Sequence, residues 1–276
     1  MTGRVLVTGA TGIIGREVVR HLLDSGSAVT ALSADRRTGL PPEVRTVVGD
    51  ATAERLVDDA LTGCDAVVHL AALAHPSLGT PLRVYANNVV STFTVLSLAA
   101  ERGIGRAVIA SSINATGVNL NPHQVRPAYF PLDEDSPADI ADAYSLSKRV
   151  DELAAAMVAR TWGTTVVALR FPLVKTPAEL RAVAAGEPAE MMRTGWAYLT
   201  VNDAARAVLA ALRAPLIGSH VIGLSAATTL LDRPTTELLD TYAPEVPRRR
   251  AFTGREALVD ASAARRLLGF EPRETI

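Results

Sequence analysis

Tyr144 and Lys148 stand four residues apart in the run Ala143-Tyr144-Ser145-Leu146-Ser147-Lys148. On a helix that spacing puts both side chains on one face. A tyrosine that exchanges protons near neutral pH needs its ordinary pKa of ~10 lowered, and a neighbouring ammonium does so by favouring the phenolate. The chain has five tyrosines in 276 residues, and Lys148 and Lys175 are the two lysines among its 28 basic residues. Random placement would give about 0.04 such pairs. The pair therefore points to proton transfer at an oxygen. Ser112, beside Ser111, closes an apolar run, and the strand ends of open α/β sheets are where ligands collect. Its hydroxyl suits a group that holds a substrate oxygen while Tyr144 moves the proton.

A second motif sits at the amino terminus. Gly9-Ala10-Thr11-Gly12-Ile13-Ile14-Gly15 follows the apolar run Val5-Leu6-Val7 and opens a helical face of Ile14, Val18, Val19, Leu22 and Leu23, which Gly26 stops. Between strand and helix, Gly9 allows the tight turn, Gly12 lets a pyrophosphate approach the backbone, and Gly15 lets helix and strand pack closely. The helix amino terminus adds free N–H groups and the positive dipole end. The run from Gly9 to Gly15, with Thr11, Ile13 and Ile14, predicts a dinucleotide site. Lys148 could then also hold nicotinamide ribose hydroxyls. The next strand ends at Ser33, followed by Ala34, Asp35, Arg36 and Arg37. Serine with arginines at this place leans toward the 2′-phosphate of NADP, whereas an acid there favours NAD. Asp50, with Ala51 beside it, ends the third strand; its carboxylate can accept from adenine or cap the helix starting near Thr52.

The elements that must position these residues alternate. Val5 to Val7, Ala28 to Leu32, Val44 to Val48, Ala66 to Leu70, Ala107 to Ala110 and Val166 to Leu169 read as strands, with Leu82 to Arg102 and Ala143 to Arg160 as long helices between them. Continuously apolar strands alternating with helices predict an α/β fold, a doubly wound parallel sheet of the Rossmann kind. After residue 172 prolines and glycines break the pattern; a helix follows from Asn202 to Arg213, a strand near His220 to Leu224, a short helix from Thr235 and a last one near Ala261 to Leu268. We expect residues 1–172 and 197–225 to form the dinucleotide-binding unit, and 173–196 with 226–276 a small C-terminal substrate cap. The stretch from Ser112 to Tyr144, longer than a strand-to-helix connection needs, should frame the substrate pocket. Its Asp133-Glu134-Asp135 run reads as a solvated turn, as does Arg248-Arg249-Arg250. Arg193 and Trp196 are the cap side chains with the reach to enter the pocket. The 28 basic and 29 acidic residues nearly cancel, which argues against nucleic acid or a membrane surface as partner. A single cysteine, Cys64, rules out an internal disulfide and suggests a reducing, cytoplasmic setting. No leader, membrane span or metal-ligand spacing is apparent in the sequence, so we expect no metal.

These motifs together resemble the extended short-chain dehydrogenase/reductases, the grouping of NAD-dependent epimerases and dehydratases. The resemblance rests on Thr8 to Gly15, His69-Leu70-Ala71-Ala72, Asn88-Val89, Ser111-Ser112, Tyr144 to Lys148, Leu169-Arg170-Phe171 and the tail Ala264 to Pro272. It implies Ser112, Tyr144 and Lys148 as the catalytic set, Asn88 as a brace for the active-site helix, Leu70, Ala71 and Ala72 along the cofactor channel, and Phe171 and Pro172 beside the nicotinamide. Members that dehydrate sugars carry Thr-Asp-Glu at the serine; Ser112-Ile113-Asn114 has neither acid, which disfavours dehydration. The short cap resembles uronate dehydrogenases, yet Asn114 is followed by Ala115 instead of the histidine those enzymes carry. Asn114 is kept as a substrate candidate. The implied activity is NAD(P)-dependent hydride transfer at a secondary alcohol or ketone carbon of a sugar-like small molecule. A sugar epimerase with tightly held cofactor is the alternative, and a non-catalytic dinucleotide sensor a third reading. The two long helices are expected to pair in a homodimer.

Overall fold

The computed structural model describes residues 3–35 and 39–276. In chain order its strands are β1 (Arg4–Thr8), β2 (Ala28–Ser33), β3 (Arg45–Val48), β4 (Ala66–His69), β5 (Arg106–Ser112), β6 (Thr165–Phe171), β7 (Leu173–Lys175), β8 (Tyr198–Thr200) and β9 (Ser219–Gly223). The helices are α1 (Ile13–Asp24), α2 (Glu54–Ala60), α3 (Pro81–Glu101), α4 (Ala143–Trp162), α5 (Pro177–Ala184), α6 (Val201–Arg213), α7 (Thr235–Tyr242) and α8 (Ser262–Leu268). Seven strands form one parallel sheet in the order β3-β2-β1-β4-β5-β6-β9. All six runs expected as strands lie in it, and the strand expected near His220 completes its edge. The order reverses between β1 and β4, the switch point at which doubly wound sheets bind ligands.

Strand alternation builds two cores. Val5 and Val7 face α1 and α6 and join Val18, Val19, Leu22 and Val208, while Leu6 faces the other way and joins Val67, Val95, Leu96, Ala155 and Val158 under α3 and α4. With helices on both faces no strand needs a polar side, which explains the unbroken apolar runs.

The region after Phe171 is more ordered than its prolines suggest. β7 and β8 pair in a separate two-stranded sheet. Pro177 breaks nothing: it opens α5, where Thr176 and Glu179 form a reciprocal capping box. Pro188 likewise opens a 3₁₀ helix, Pro188–Thr194. A third core gathers Trp196, Leu238, Leu239, Phe252 and Leu258 around Phe130 and Leu132, so the long loop after Ser112 supplies part of the cap's interior. One expectation is corrected. Of the acidic run, Asp135 alone is exposed; Asp133 accepts from Tyr129 (2.7 Å) and pairs with Arg249 (3.2 Å), and Glu134 accepts from the Gly223 N–H (2.8 Å). The arginine triplet, by contrast, is an exposed turn, in which Arg248 pairs with Asp240, Arg249 lies over the Tyr129 ring and Arg250 pairs with Glu256. No helix of the described residues is long and apolar enough to cross a membrane.

Candidate active site

The glycine run leaves β1 and enters α1. Gly9 has φ +65°, and a Cβ there would come within 2.8 Å of Ala71 N; one on Gly15 would overlap the Gly9 carbonyl oxygen. Those two glycines are required by packing. Gly12 differs, because an added Cβ would meet only the Gly9 carbonyl oxygen at 3.3 Å while the residue lines both of two adjoining cavities. Gly12 is also the N-cap of α1 and makes no side-chain cap, and no acid occupies the helix's first turn. The amides and the positive dipole end are thus offered to the cavity, in a cradle that a Cβ at Gly12 would fill. That fits a pyrophosphate.

One cavity, about 360 Å³, is lined by Thr11, Ser33, Asp35, Asp50, Ala51, Ala71 and Ala72. Ser33 is buried, shares a hydrogen bond with Thr11 Oγ1 (3.0 Å) and accepts from the Asp35 N–H (3.2 Å). The serine hydroxyl is therefore engaged, and exposed Asp35 brings a carboxylate to the wall beside it. Arg36 and Arg37, which carried the lean toward NADP, lie outside the described residues. Asp50 Oδ1 accepts from the Thr52 N–H (2.9 Å) in the turn before α2, whose N-cap is Ala53 and has no side-chain cap, and Asp50 also faces the cavity.

The second cavity, about 550 Å³, brings together Gly9 to Gly15 with Leu70, Ala72, Ser112, Asn114, Tyr144, Lys148, Phe171 and Pro172. β5 ends at Ser112, whose Oγ accepts from the Asn114 N–H (3.1 Å), leaving the hydroxyl proton available to donate. α4 starts at Asp142, whose carboxylate accepts from the Ser145 N–H (2.9 Å), so Tyr144 and Lys148 stand one turn apart at its cavity end. Asn88 does not line the cavity. It is buried on α3, donates to Ser147 Oγ (3.0 Å) on α4, and exchanges hydrogen bonds with the backbone of Leu73. Both helix and cofactor wall are braced through it.

Lys148 is nearly fully buried. Its Nζ donates to the Ala110 carbonyl (3.0 Å) and to Asp151 Oδ2 (3.0 Å), which leaves one N–H for the cavity. Burial pulls the ammonium down, but Asp151, together with Tyr144 and Glu152, more than offsets it and holds Lys148 above the usual ammonium range. Beside it Glu152 takes Arg170 in two bonds (2.8 and 2.9 Å) and Ser111 Oγ (2.7 Å), locking β5, β6 and α4 together. Under the switch point, His69 is bound by Thr8 Oγ1 (2.8 Å) and Thr92 Oγ1 (3.1 Å). Burial, with the charge of Lys148, lowers its pKa to about 3, so it is a neutral ring.

Two expected pocket residues are elsewhere. Trp196 is fully buried in the cap core and donates from Nε1 to the Pro188 carbonyl (2.7 Å). Arg193 donates to the carbonyls of Val118 and Asn121 and to Gln124, tying the cap to the long loop. The cap instead reaches the cavity with Glu190, Met191 and Thr194, and the loop with Asn119 and Leu120. Met191 and Thr194 share a face at the three-residue period of the 3₁₀ helix, a signal hidden while that stretch reads as broken loop.

Residues 5–223 match the model of the NAD dependent epimerase/dehydratase family. The chain belongs to that family. Among curated relatives it is 34% identical over 175 residues to the UDP-glucose 4-epimerase of Azospirillum brasilense, covering 61% of this chain and 48% of that protein. It is 34% identical over 184 residues to the dTDP-glucose 4,6-dehydratase of Streptomyces niveus, covering 60% and 52%. The chain thus spans about half the length of the curated relatives it matches. Among solved structures it resembles MoeE5 in complex with UDP-glucuronic acid and NAD, with a TM-score of 0.72 and 25% identity, over 99% of this chain and 95% of that one. The fold of this epimerase/dehydratase family member, a seven-stranded parallel sheet between helices, is that of its structural neighbours.

Proposed function

We propose that the protein moves a hydride between nicotinamide and a secondary alcohol or ketone carbon of a sugar or sugar-like small molecule. The observation that carries this reading is the convergence of Ser112, Tyr144 and Lys148 on one cavity wall that continues into the glycine cradle. When bound, the dinucleotide supplies the hydride acceptor or donor. Tyr144 takes or gives the hydroxyl proton, Ser112 donates to the same oxygen, and Lys148 holds the ribose while placing its charge beside Tyr144. Asp35, on the wall where the adenosine ribose belongs, supports NAD as the dinucleotide. Residues 173–196 and 226–276 serve as the substrate cap. Val90 and Phe93 on α3 and Leu146, Leu153 and Met157 on α4 are exposed apolar side chains, which supports a two-fold pairing through these helices.

The names of the curated relatives support a second reading as an epimerase, in which one carbon is oxidised and re-reduced without cofactor turnover. Absorbance at 340 nm separates the two: net change with substrate means dehydrogenase or reductase, and inverted product without net change means epimerase. In either case Tyr144→Phe keeps the ring and its packing, so dinucleotide affinity should survive while turnover falls about 10²–10⁴-fold. Near-normal turnover would remove Tyr144 from the chemistry.

A further inference from the structure

Lys148 is the only lysine or arginine lining the 550 Å³ cavity among the described residues, and Asp151 balances its charge. Arginines on the adjoining segments are committed elsewhere. Arg170 is buried against Glu152, and Arg193 is held by two carbonyls and Gln124. Lys175, next to the lining residue Val174, is paired with Glu179 at 3.5 Å. Helix amides, the other common way to hold an anion, are little better placed. Asp142 caps α4 and Ser112 caps the 3₁₀ helix Ile113–Thr116; the 3₁₀ helix Pro188–Thr194 has no side-chain cap but carries Glu190 in its first turn, which leaves α1 for the dinucleotide's own pyrophosphate. The cap contributes the reverse charge, since exposed Glu190 lines the substrate side. What remains there is the amides of Asn114 and Asn119, which hydrogen-bond each other at 3.1 Å, the Thr194 hydroxyl and the His75 ring, whose Nδ1 is engaged by Ser77, set among Ile113, Leu120 and Met191.

A sugar nucleotide carries two negative charges on its diphosphate, and a uronate carries one. Among the described residues neither finds an uncommitted lysine, arginine or amide nest in this wall, and Glu190 repels both. From this lining we infer that the substrate is a small neutral polyhydroxy compound, without phosphate or carboxylate, held by the asparagine amides and Glu190. The inference rests on the hydride-transfer reading of the same site and narrows it.

The test uses the full chain with NAD. Initial rates, by absorbance at 340 nm and by product analysis, are compared for D-glucose, D-galactose and D-xylose, their UDP esters and the corresponding uronates. The neutral sugars should exceed their charged counterparts in kcat/KM by about 10–100-fold, the loss expected when a charged group is left without charge-assisted hydrogen bonds. Glu190→Arg should narrow that ratio by about tenfold or more by favouring the charged members. A UDP ester or uronate preferred by the wild type overturns the inference and leaves hydride transfer standing. Failure of every neutral member also overturns it. Inversion without net absorbance change replaces the dehydrogenase reading by the epimerase one, and the neutral-to-charged ratio then judges the inference from product formation alone.

Discussion

Asp151→Asn keeps the shape of the side chain and removes the charge that balances Lys148. The two groups sit 3.0 Å apart with side chains 4% and 1% exposed. At an effective dielectric constant of about 20, that separation corresponds to roughly 5 kcal/mol of attraction. Burial, already the largest influence on Lys148 and acting downward, would then be opposed by Tyr144 and Glu152 alone. The ammonium of the variant should lose its proton below the ordinary lysine value, whereas in the wild type it persists beyond that value. The assay is dinucleotide affinity between pH 6 and 10, which needs no substrate. As pH rises through the lowered value, the variant should lose the charge-assisted bond to the ribose, about 1.5–3 kcal/mol or roughly 10–100-fold in Kd, while the wild type stays flat. Stability should follow with the opposite slope. Breaking a buried pair costs about 3–5 kcal/mol. In the variant the unfolded chain binds the lysine proton and the folded one does not, so the deficit is largest near neutrality and narrows toward pH 10. Parallel affinity–pH curves for the two proteins would refute the reasoning, and so would a deficit that grows with pH.

His69 is neutral when folded down to about pH 3, while its unfolded value is 6.5. Each pH unit between should cost the wild type about 1.4 kcal/mol from this group as pH falls; denaturant melts at pH 7, 6 and 5 should show a flatter slope for His69→Gln, and equal slopes would exclude the histidine. If Asp35 reads the ribose, the wild type binds NAD at least about tenfold tighter than NADP, and Asp35→Asn erodes that preference by a similar factor; tighter NADP binding by the wild type would return the choice to the arginines. For the helix faces, light scattering should give twice the 29.1 kDa chain mass, and Leu153→Glu should halve it. A monomeric wild type removes the dimer.

Sequence by itself determined the sheet and its covering helices, and it picked out the glycine turn and the three residues proposed as catalytic, because these are local patterns. A strand buried on both faces is apolar wherever it lies, a tyrosine four residues before a lysine shares its helical face, and glycines that must admit a backbone or a phosphate can be nothing else. Tertiary structure decided what distant segments do to one another. Asp151 was anonymous in the sequence until α4 turned it beneath Lys148, and the conflict of burial with charge at that pair exists only in the packed interior. Ser33 ended the expected strand, but its hydroxyl turned out to be held by Thr11, and Asp35 brings a carboxylate to the wall beside it. The cap shows the same division. Arg193 and Trp196 have the chemistry for a pocket, yet the register of the Pro188–Thr194 turn sends Arg193 to the loop, and Trp196 fills the cap core beyond it. Glu190, Met191 and Thr194 reach the cavity instead. Residue type sets what a side chain can do; in a segment without a long helical or strand period, only packing sets where it points.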